Sequence, residues 1–300
     1  MGVPLWDTEQ RILGHLAVLD TRPLRDDKSK IIGKMAFLTD MAEHNKSLAL
    51  AGEILRSLLP QKSPKIRGLD IAGKNITCDK LGGDCFDFLW DLECQDNHFD
   101  AVVGDVAGHG VDAALLMTSA RAFLRMRASQ CGVISQIVKE MNRHLTLDIL
   151  NTGRFMTMFY LSVDLENKNL SWVRAGHDPA IVYDPRVDQF EELGGVGLAL
   201  ELDESYIFEE NTKAVLGEGQ IIAIGTDGIW ETFNNDREMF GKRRFREIIR
   251  SNSHLGSSNI VDAIFSEIDT FSKGLKKEDD ITLVIIKIKE TSRKEVDWQI

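Results

Sequence analysis

Four aspartates stand in short contexts rich in glycine or in a second aspartate: Asp84 in Gly82-Gly83-Asp84, Asp105 in Val103-Gly104-Asp105-Val106, Asp227 in Gly225-Thr226-Asp227-Gly228, and Asp279 in Asp279-Asp280-Ile281-Thr282. Three of them follow or adjoin apolar runs of strand character, at 99–103, 221–224 and 281–286. A carboxylate beside a buried strand carries a desolvation cost unless its charge is neutralised. Several carboxylates at one point also repel one another in a poorly solvated pocket. All-oxygen donors suit a hard divalent cation, magnesium or manganese, better than zinc. Two such ions sharing a bridging carboxylate would lower the pKa of a water between them and stabilise in-line attack on phosphorus. Any one of these aspartates alone reads as a helix or turn cap; the set of four points to metal chemistry.

The elements that must carry them follow from hydrophobic patterning. Strands are predicted near 67–76, 84–93, 98–105, 154–164, 168–175, 179–184, 220–226 and 281–289. Two helices are predicted after Asp105. The first, 112–128, is apolar nearly all round and so is expected to be buried against a sheet; the second, 133–147, shows Ile134, Ile137, Met141 and Leu145 at helical spacing. A later helix pair is predicted at 241–251 and 258–272, the latter with Val261, Ile264, Phe265 and Ile268 on one face. Helices grouped between blocks of hairpin-like strands favour an α+β layered fold over a parallel βαβ sheet.

Before this region, 11–20 reads as a strand and 28–59 as a helix ended by Leu59-Pro60. The helix carries Ile31, Leu38, Met41, Leu48, Leu55 and Leu59 at heptad-like steps, with Asn45 at a core-type position. It reads equally as one strand of a homodimeric coiled coil or as an amphipathic helix folded on its own domain.

Composition narrows the partners. A chain of 300 residues with 43% hydrophobic content can bury a large core, and a net charge of -11 argues against nucleic acid. The four cysteines, Cys78, Cys85, Cys94 and Cys131, show no C-x-x-C pair or zinc spacing, which fits a reducing compartment. Met1-Gly2-Val3-Pro4 leads straight into charged residues without a signal-peptide pattern, and no apolar stretch approaches the ~20 residues of a membrane span. A cytoplasmic protein without membrane partners is expected.

Seven segments in order resemble the sporulation stage II protein E-like branch of the PPM family, the metal-dependent serine/threonine phosphatases. They are Leu58-Leu59-Pro60; Gly82-Gly83-Asp84-Cys85-Phe86-Asp87; Gly104-Asp105-Val106-Ala107-Gly108-His109-Gly110 with Ala113-Ala114-Leu115-Leu116; Arg154-Phe155-Met156-Thr157-Met158-Phe159; Ala175-Gly176-His177-Asp178-Pro179; Thr226-Asp227-Gly228; and Asp279-Asp280-Ile281-Thr282. The resemblance covers roughly 48–290. It implies an α-β-β-α sandwich of two antiparallel sheets flanked by helices, here with an N-terminal helical extension. It further implies that Asp105 bridges two Mn²⁺ or Mg²⁺ ions, that Val106 lends its carbonyl, and that Asp84, Asp227 and Asp279 complete the shell, with Asp280 as the alternative to Asp279. The activity implied is two-metal-activated hydrolysis of phosphoserine or phosphothreonine on a partner protein, often an anti-sigma-factor antagonist.

Two positions depart from the family pattern. Cys85 stands where a bulky residue is expected. His109 lies four residues after Asp105, whereas the wider family places an acid-acting histidine two residues on; a proton-donating role and a loop-orienting role both stay open. His177 reads as structural. The front of the chain, from Pro4-Leu5-Trp6-Asp7 to Pro23-Leu24, resembles the closing strand of a GAF sensor domain. The organisation implied is 1–27 as the end or remnant of that domain, 28–59 as a signalling helix, 60–290 as the phosphatase and 291–300 as a tail. Two rivals are weaker. A nucleotide cyclase would need an acid where Cys85 stands and leaves Asp227 and Asp279 unexplained. A non-catalytic binding module would not need all four acidic contexts intact.

Overall fold

The computed structural model describes residues 2–6, 12–17, 44–90, 97–130, 132–148, 153–167, 169–214 and 217–289. The chain divides into two compact units, Met1–Leu48 and Ala49–Ile300. In the first, β1 (Gly2–Trp6) and β2 (Ile12–Ala17) form an antiparallel pair with Gly2 opposite Ala17. The single strand expected over 11–20 therefore has a partner that the sequence reading did not assign. Residues 18–43, including most of the expected signalling helix, lie outside the described residues; α1 is described over 44–58.

The second unit is built on two five-stranded antiparallel sheets. One has the order β10 (Asn211–Lys213), β7 (Leu170–Ala175), β6 (Met156–Asp164), β5 (His98–Val106), β4 (Cys85–Leu89). The other has the order β3 (Leu69–Ile76), β12 (Ile281–Ile288), β11 (Ile221–Gly225), β8 (Ala180–Asp184), β9 (Gln189–Leu193). Helices α2 (Val111–Ala128) and α3 (Ile134–Asp148) pack on the first sheet; α5 (Ser257–Ser272) packs on the second beside α4 (Gly241–Ser251). This is the α-β-β-α sandwich expected.

The continuous apolar run of β12 has a simple cause: both of its faces are covered. Ile281, Leu283 and Ile285 pack with Ile249, Ile264 and Phe265 under the helices, whereas Val284, Ile286 and Ile288 join the core shared with the other sheet. On β4 the alternation is equally clear. Phe86 faces β3, where Gly73 leaves room for its ring, and Asp87 faces α2. Buried Asp87 pairs with Arg121 at 3.0 Å and with Arg125 at 2.8 Å, and also accepts the Phe88 N–H at 2.9 Å. A buried carboxylate is tolerable only when paired and hydrogen-bonded in this way.

Two strands differ from the sequence reading. β9 carries Glu191 and Glu192 exposed on an outer strand, and β10 has three residues, so neither shows an apolar alternation.

Removing Asp87 would leave the largely buried Arg121 without its carboxylate, whereas Arg125 is 47% exposed and keeps contact with water. Asp87→Ala is expected to lower unfolding stability by about 3 kcal/mol, read as a fall in the urea midpoint with an unchanged slope.

Candidate metal centre

The site lies where inward-facing alternation continues past the ends of the apolar runs. In β5, Ala101, Val103 and Asp105 point toward the other sheet, because Asp100 on the opposite face meets Tyr160 beneath α2. Asp84 precedes β4 on the same side as Phe86. From the second sheet, Thr226 extends the inward row of Ile222 and Ile224, and Thr282 begins the row of Val284 and Ile286. The Thr226 and Thr282 hydroxyls both donate to Asp84 Oδ2, at 2.8 and 2.7 Å. Thr226 Oγ1 in turn accepts the Thr282 N–H at 3.0 Å. Asp84 is thus tied to both strands of the facing sheet.

Asp280 holds the same corner by a different means. Its Oδ1 accepts the Cys78 N–H at 2.7 Å, and its Oδ2 accepts the N–H groups of Gly83 at 2.7 Å and Asp84 at 3.4 Å. Glycine is required at two of these contacts. A Cβ on Gly82 would sit 2.4 Å from Asp280 Oδ2, and one on Gly228 would sit 2.0 Å from the Asp280 carbonyl oxygen. The two adjacent acids therefore have separate surroundings: Asp280 is buried with its oxygens turned onto main-chain amides, and Asp279 is on the exposed side, accepting the Asp280 N–H at 2.8 Å.

Electrostatics bind the remaining acids into one group. Burial pushes Asp84 well above the usual carboxylate range, aided by Asp105 and Asp280. Asp105 is pushed up to about 7, first by burial and then by Asp227 and Asp279. Asp227 is pushed up to about 6 by burial, then by Asp279, Glu231 and Asp178. Asp279 is raised by burial and by Asp280, and lowered by His109. Among the described residues no lysine or arginine pairs with Asp84, Asp105, Asp227 or Asp279; the nearby Lys242 is taken by Asp178 at 3.2 Å and lies 4.6 Å from the Trp230 ring centroid. Nor do three acidic, imidazole or thiol side chains among the described residues close around one point. The cluster is an open group of carboxyl oxygens whose mutual proximity and burial favour their neutral forms.

The other expected site residues are close by. The Val106 carbonyl oxygen lies 3.0 Å from where a Cβ on Gly83 would be. His109 is exposed in the turn before α2, near enough to act on Asp279. The turn is clamped by Arg154, which donates to the Ala107 carbonyl at 2.5 Å and pairs with Asp112. His177 is buried; its Nδ1 lies 2.8 Å from Thr157 Oγ1, and burial lowers its pKa to about 4. Thr157 stands opposite Asp105 in the β5–β6 register. Buried Cys85 has its thiol pushed up by desolvation and by the neighbouring carboxylates. Sequence reasoning did not single out Thr226, Thr282 or Arg154, although each lies inside a segment it quoted.

Comparison with known proteins follows the same lines. The family model described as Stage II sporulation protein E (SpoIIE) matches residues 95–289. Phosphoserine phosphatase RsbU of Bacillus subtilis (strain 168) is 23% identical over 248 residues, which is 82% of this chain and 71% of the relative. Protein IcfG of Synechocystis is 24% identical over 261 residues, and the match spans only 40% of that longer protein. Among solved structures, the SiaA-PP2C domain of Pseudomonas aeruginosa superposes with a TM-score of 0.70 at 22% identity, covering 83% of this chain and 98% of that domain.

Raised carboxyl pKa values have a definite sign in stability. A group whose folded pKa exceeds its unfolded value stabilises the fold while protonated, and that stability is lost as pH rises through the folded pKa. Asp105 and Asp227 place this window between about pH 4 and pH 7. In chelator, the melting temperature is expected to fall across that window, and Asp105→Asn is expected to melt higher than the unaltered protein at pH 7. A thermal melt series read by near-UV circular dichroism checks both.

Proposed function

The chain belongs to the stage II sporulation protein E family of metal-dependent serine/threonine phosphatases, and we propose that it removes phosphate from phosphoserine or phosphothreonine on a partner protein of the anti-sigma-factor-antagonist type. One observation carries the reading: Asp84, Asp105, Asp227 and Asp279 form a partly buried acidic cluster with which no lysine or arginine pairs among the described residues. Such a donor set fits two hard divalent cations, Mn²⁺ or Mg²⁺. In this reading Asp105, Asp84, Asp227, Asp279 and the Val106 carbonyl would hold the ions, and Asp280 anchors the loop. Bound there, the ions would offset the repulsion and lower the pKa of a water for in-line attack on phosphorus.

The chain's own groups do the rest. Thr226 and Thr282 fix Asp84 through Oδ2, leaving Oδ1 for the cluster. Arg154 holds the turn that presents His109 at the solvent side beside Asp279. From there His109 can protonate the departing serine or threonine oxygen. In this reading water attacks phosphorus directly, and Cys85, buried with its thiol pushed up, does not serve as a nucleophile. Cys78 and Cys85 are free thiols, which suits the reducing cytoplasm where we place the protein. No helix among the described residues is long and apolar enough to cross a membrane.

Helix α1 offers two faces. Leu55 and Leu59 pack on the domain, and Gly52 fits so closely that a Cβ would lie 2.3 Å from the Lys80 carbonyl oxygen. Leu50 and Ile54, one turn apart, remain 58% and 55% exposed. We assign this outer pair to a homodimer contact, the isologous arrangement most common for such a stripe.

Manganese-dependent hydrolysis of p-nitrophenyl phosphate tests the activity. Asp105→Ala and Asp227→Ala are expected to abolish it and Cys85→Ala to spare it. His109→Ala is expected to reduce turnover of a phosphoserine peptide by ~10²–10⁴-fold with loss of one limb of the pH–rate profile; an unchanged profile would assign it to loop orientation alone. In sedimentation velocity, the double change Leu50→Asp and Ile54→Asp in the full chain is expected to convert dimer to monomer.

A further inference from the structure

A cleft of about 390 Å³ opens beside the acid cluster. One wall is the hairpin at 230–241, closed by the Phe240 N–H on the Thr232 carbonyl and the Gly241 N–H on the Trp230 carbonyl, both at 2.8 Å. The other wall is the turn that ends α5, where Lys273 and Gly274 adopt left-handed φ values of 48° and 78°. There the Leu275 N–H donates to Ser272 at 3.0 Å, and Lys277 is tied to Asp269 at 2.7 Å. Each wall is held by its own bonds, and the two meet behind the cleft where the Phe240 ring packs edge-on against Phe271 with centroids 5.4 Å apart.

The lining is mixed in a way that internal packing does not account for. Half-buried Phe233 and 42% exposed Leu275 present apolar surface from opposite walls. Glu231, Glu278 and Lys276 lie at the rim, and Lys276 has no acidic partner among the described residues. Gly228, which follows Asp227, and Asp279 itself also line the cleft, so it is continuous with the proposed metal centre. A volume in this range is that of a ligand site, here with one apolar side chain on each wall among polar groups that can orient what enters.

We infer that this cleft receives the polypeptide flanking the phosphorylated residue, with an apolar substrate side chain seated between Phe233 and Leu275. The inference rests on the phosphatase reading and adds to it a basis for choosing among phosphoproteins. An extended chain rises ~3.3 Å per residue and sends alternate side chains to one face. With the phosphoserine at the acid cluster, the residue two places away, ~7 Å on, is the one that faces the cleft. Charges of both signs at the rim suit a peptide backbone and its polar neighbours better than a uniformly charged ligand, and the net charge of -11 disfavours nucleic acid there.

The test compares synthetic phosphoserine peptides, identical except for leucine or aspartate two residues before or two residues after the phosphoserine. The unaltered protein with manganese is expected to favour leucine over aspartate on one side by about tenfold or more in kcat/KM, the scale on which an apolar pocket discriminates. In Leu275→Asp and in Phe233→Ala that ratio is expected to fall to near one. Because the ratio is taken within each variant, a general loss of activity does not disturb it. Hydrolysis of p-nitrophenyl phosphate without preference among the peptides, or a preference that survives both substitutions, overturns the cleft assignment alone. Failure of the unaltered protein to hydrolyse p-nitrophenyl phosphate overturns the reading on which it rests.

Discussion

The carboxylate of Asp84, buried between two sheets, accepts hydroxyls from Thr226 and Thr282 on one of its oxygens, and the geometry around the acid cluster depends on that arrangement. An ionised group so placed is costly in the absence of a compensating charge. Two neutral donors cannot cancel its charge, but they fix its direction, so its second oxygen is aimed rather than free. Asp105, Asp227 and Asp279 add to the imbalance instead of relieving it. The fold holds this strain because the strands carrying these groups are buried along their length, and their apolar contacts outnumber the few polar residues at their ends.

Asp280 shows how such a corner is built from ordinary parts. By accepting main-chain amides at Cys78 and Gly83 it stitches the loop before β4 to the start of β12. These bonds turn both of its oxygens onto the main chain. The tight approach depends on the absence of side chains at Gly82 and Gly228. A motif that reads as a pair of acids is therefore two devices: an anchor facing the main chain and a group facing the cleft.

Much of this was legible in the sequence, for reasons that differ by element. β12 and β11 declare themselves because strands buried on both faces are apolar throughout, and α5 because its apolar face repeats at helical spacing. β9 does not, since an outer strand with exposed Glu191 and Glu192 has no core face to mark it. The aspartates stood out through their glycine contexts. The threonines did not: their role requires Asp84 to approach from 142 and 198 residues away, and no local pattern encodes that meeting. The division between Asp279 and Asp280 was illegible for the same reason, because it depends on where the loop at 78–84 comes to rest.

The position of β12 has a consequence for how the molecule is made. It is the last described strand in the chain, yet it lies between β3 and β11, and among the described strands it alone pairs with β3. During synthesis β3 emerges more than two hundred residues before its partner. At the elongation rates of a ribosome, ~5–20 residues per second, it waits ten seconds or more with an unpaired edge. Thr282 and Asp280 arrive with β12, so the corner around Asp84 cannot assemble before that strand has emerged. The strands of the first sheet all precede it, and the acid cluster is completed only as β12 slots between β3 and β11.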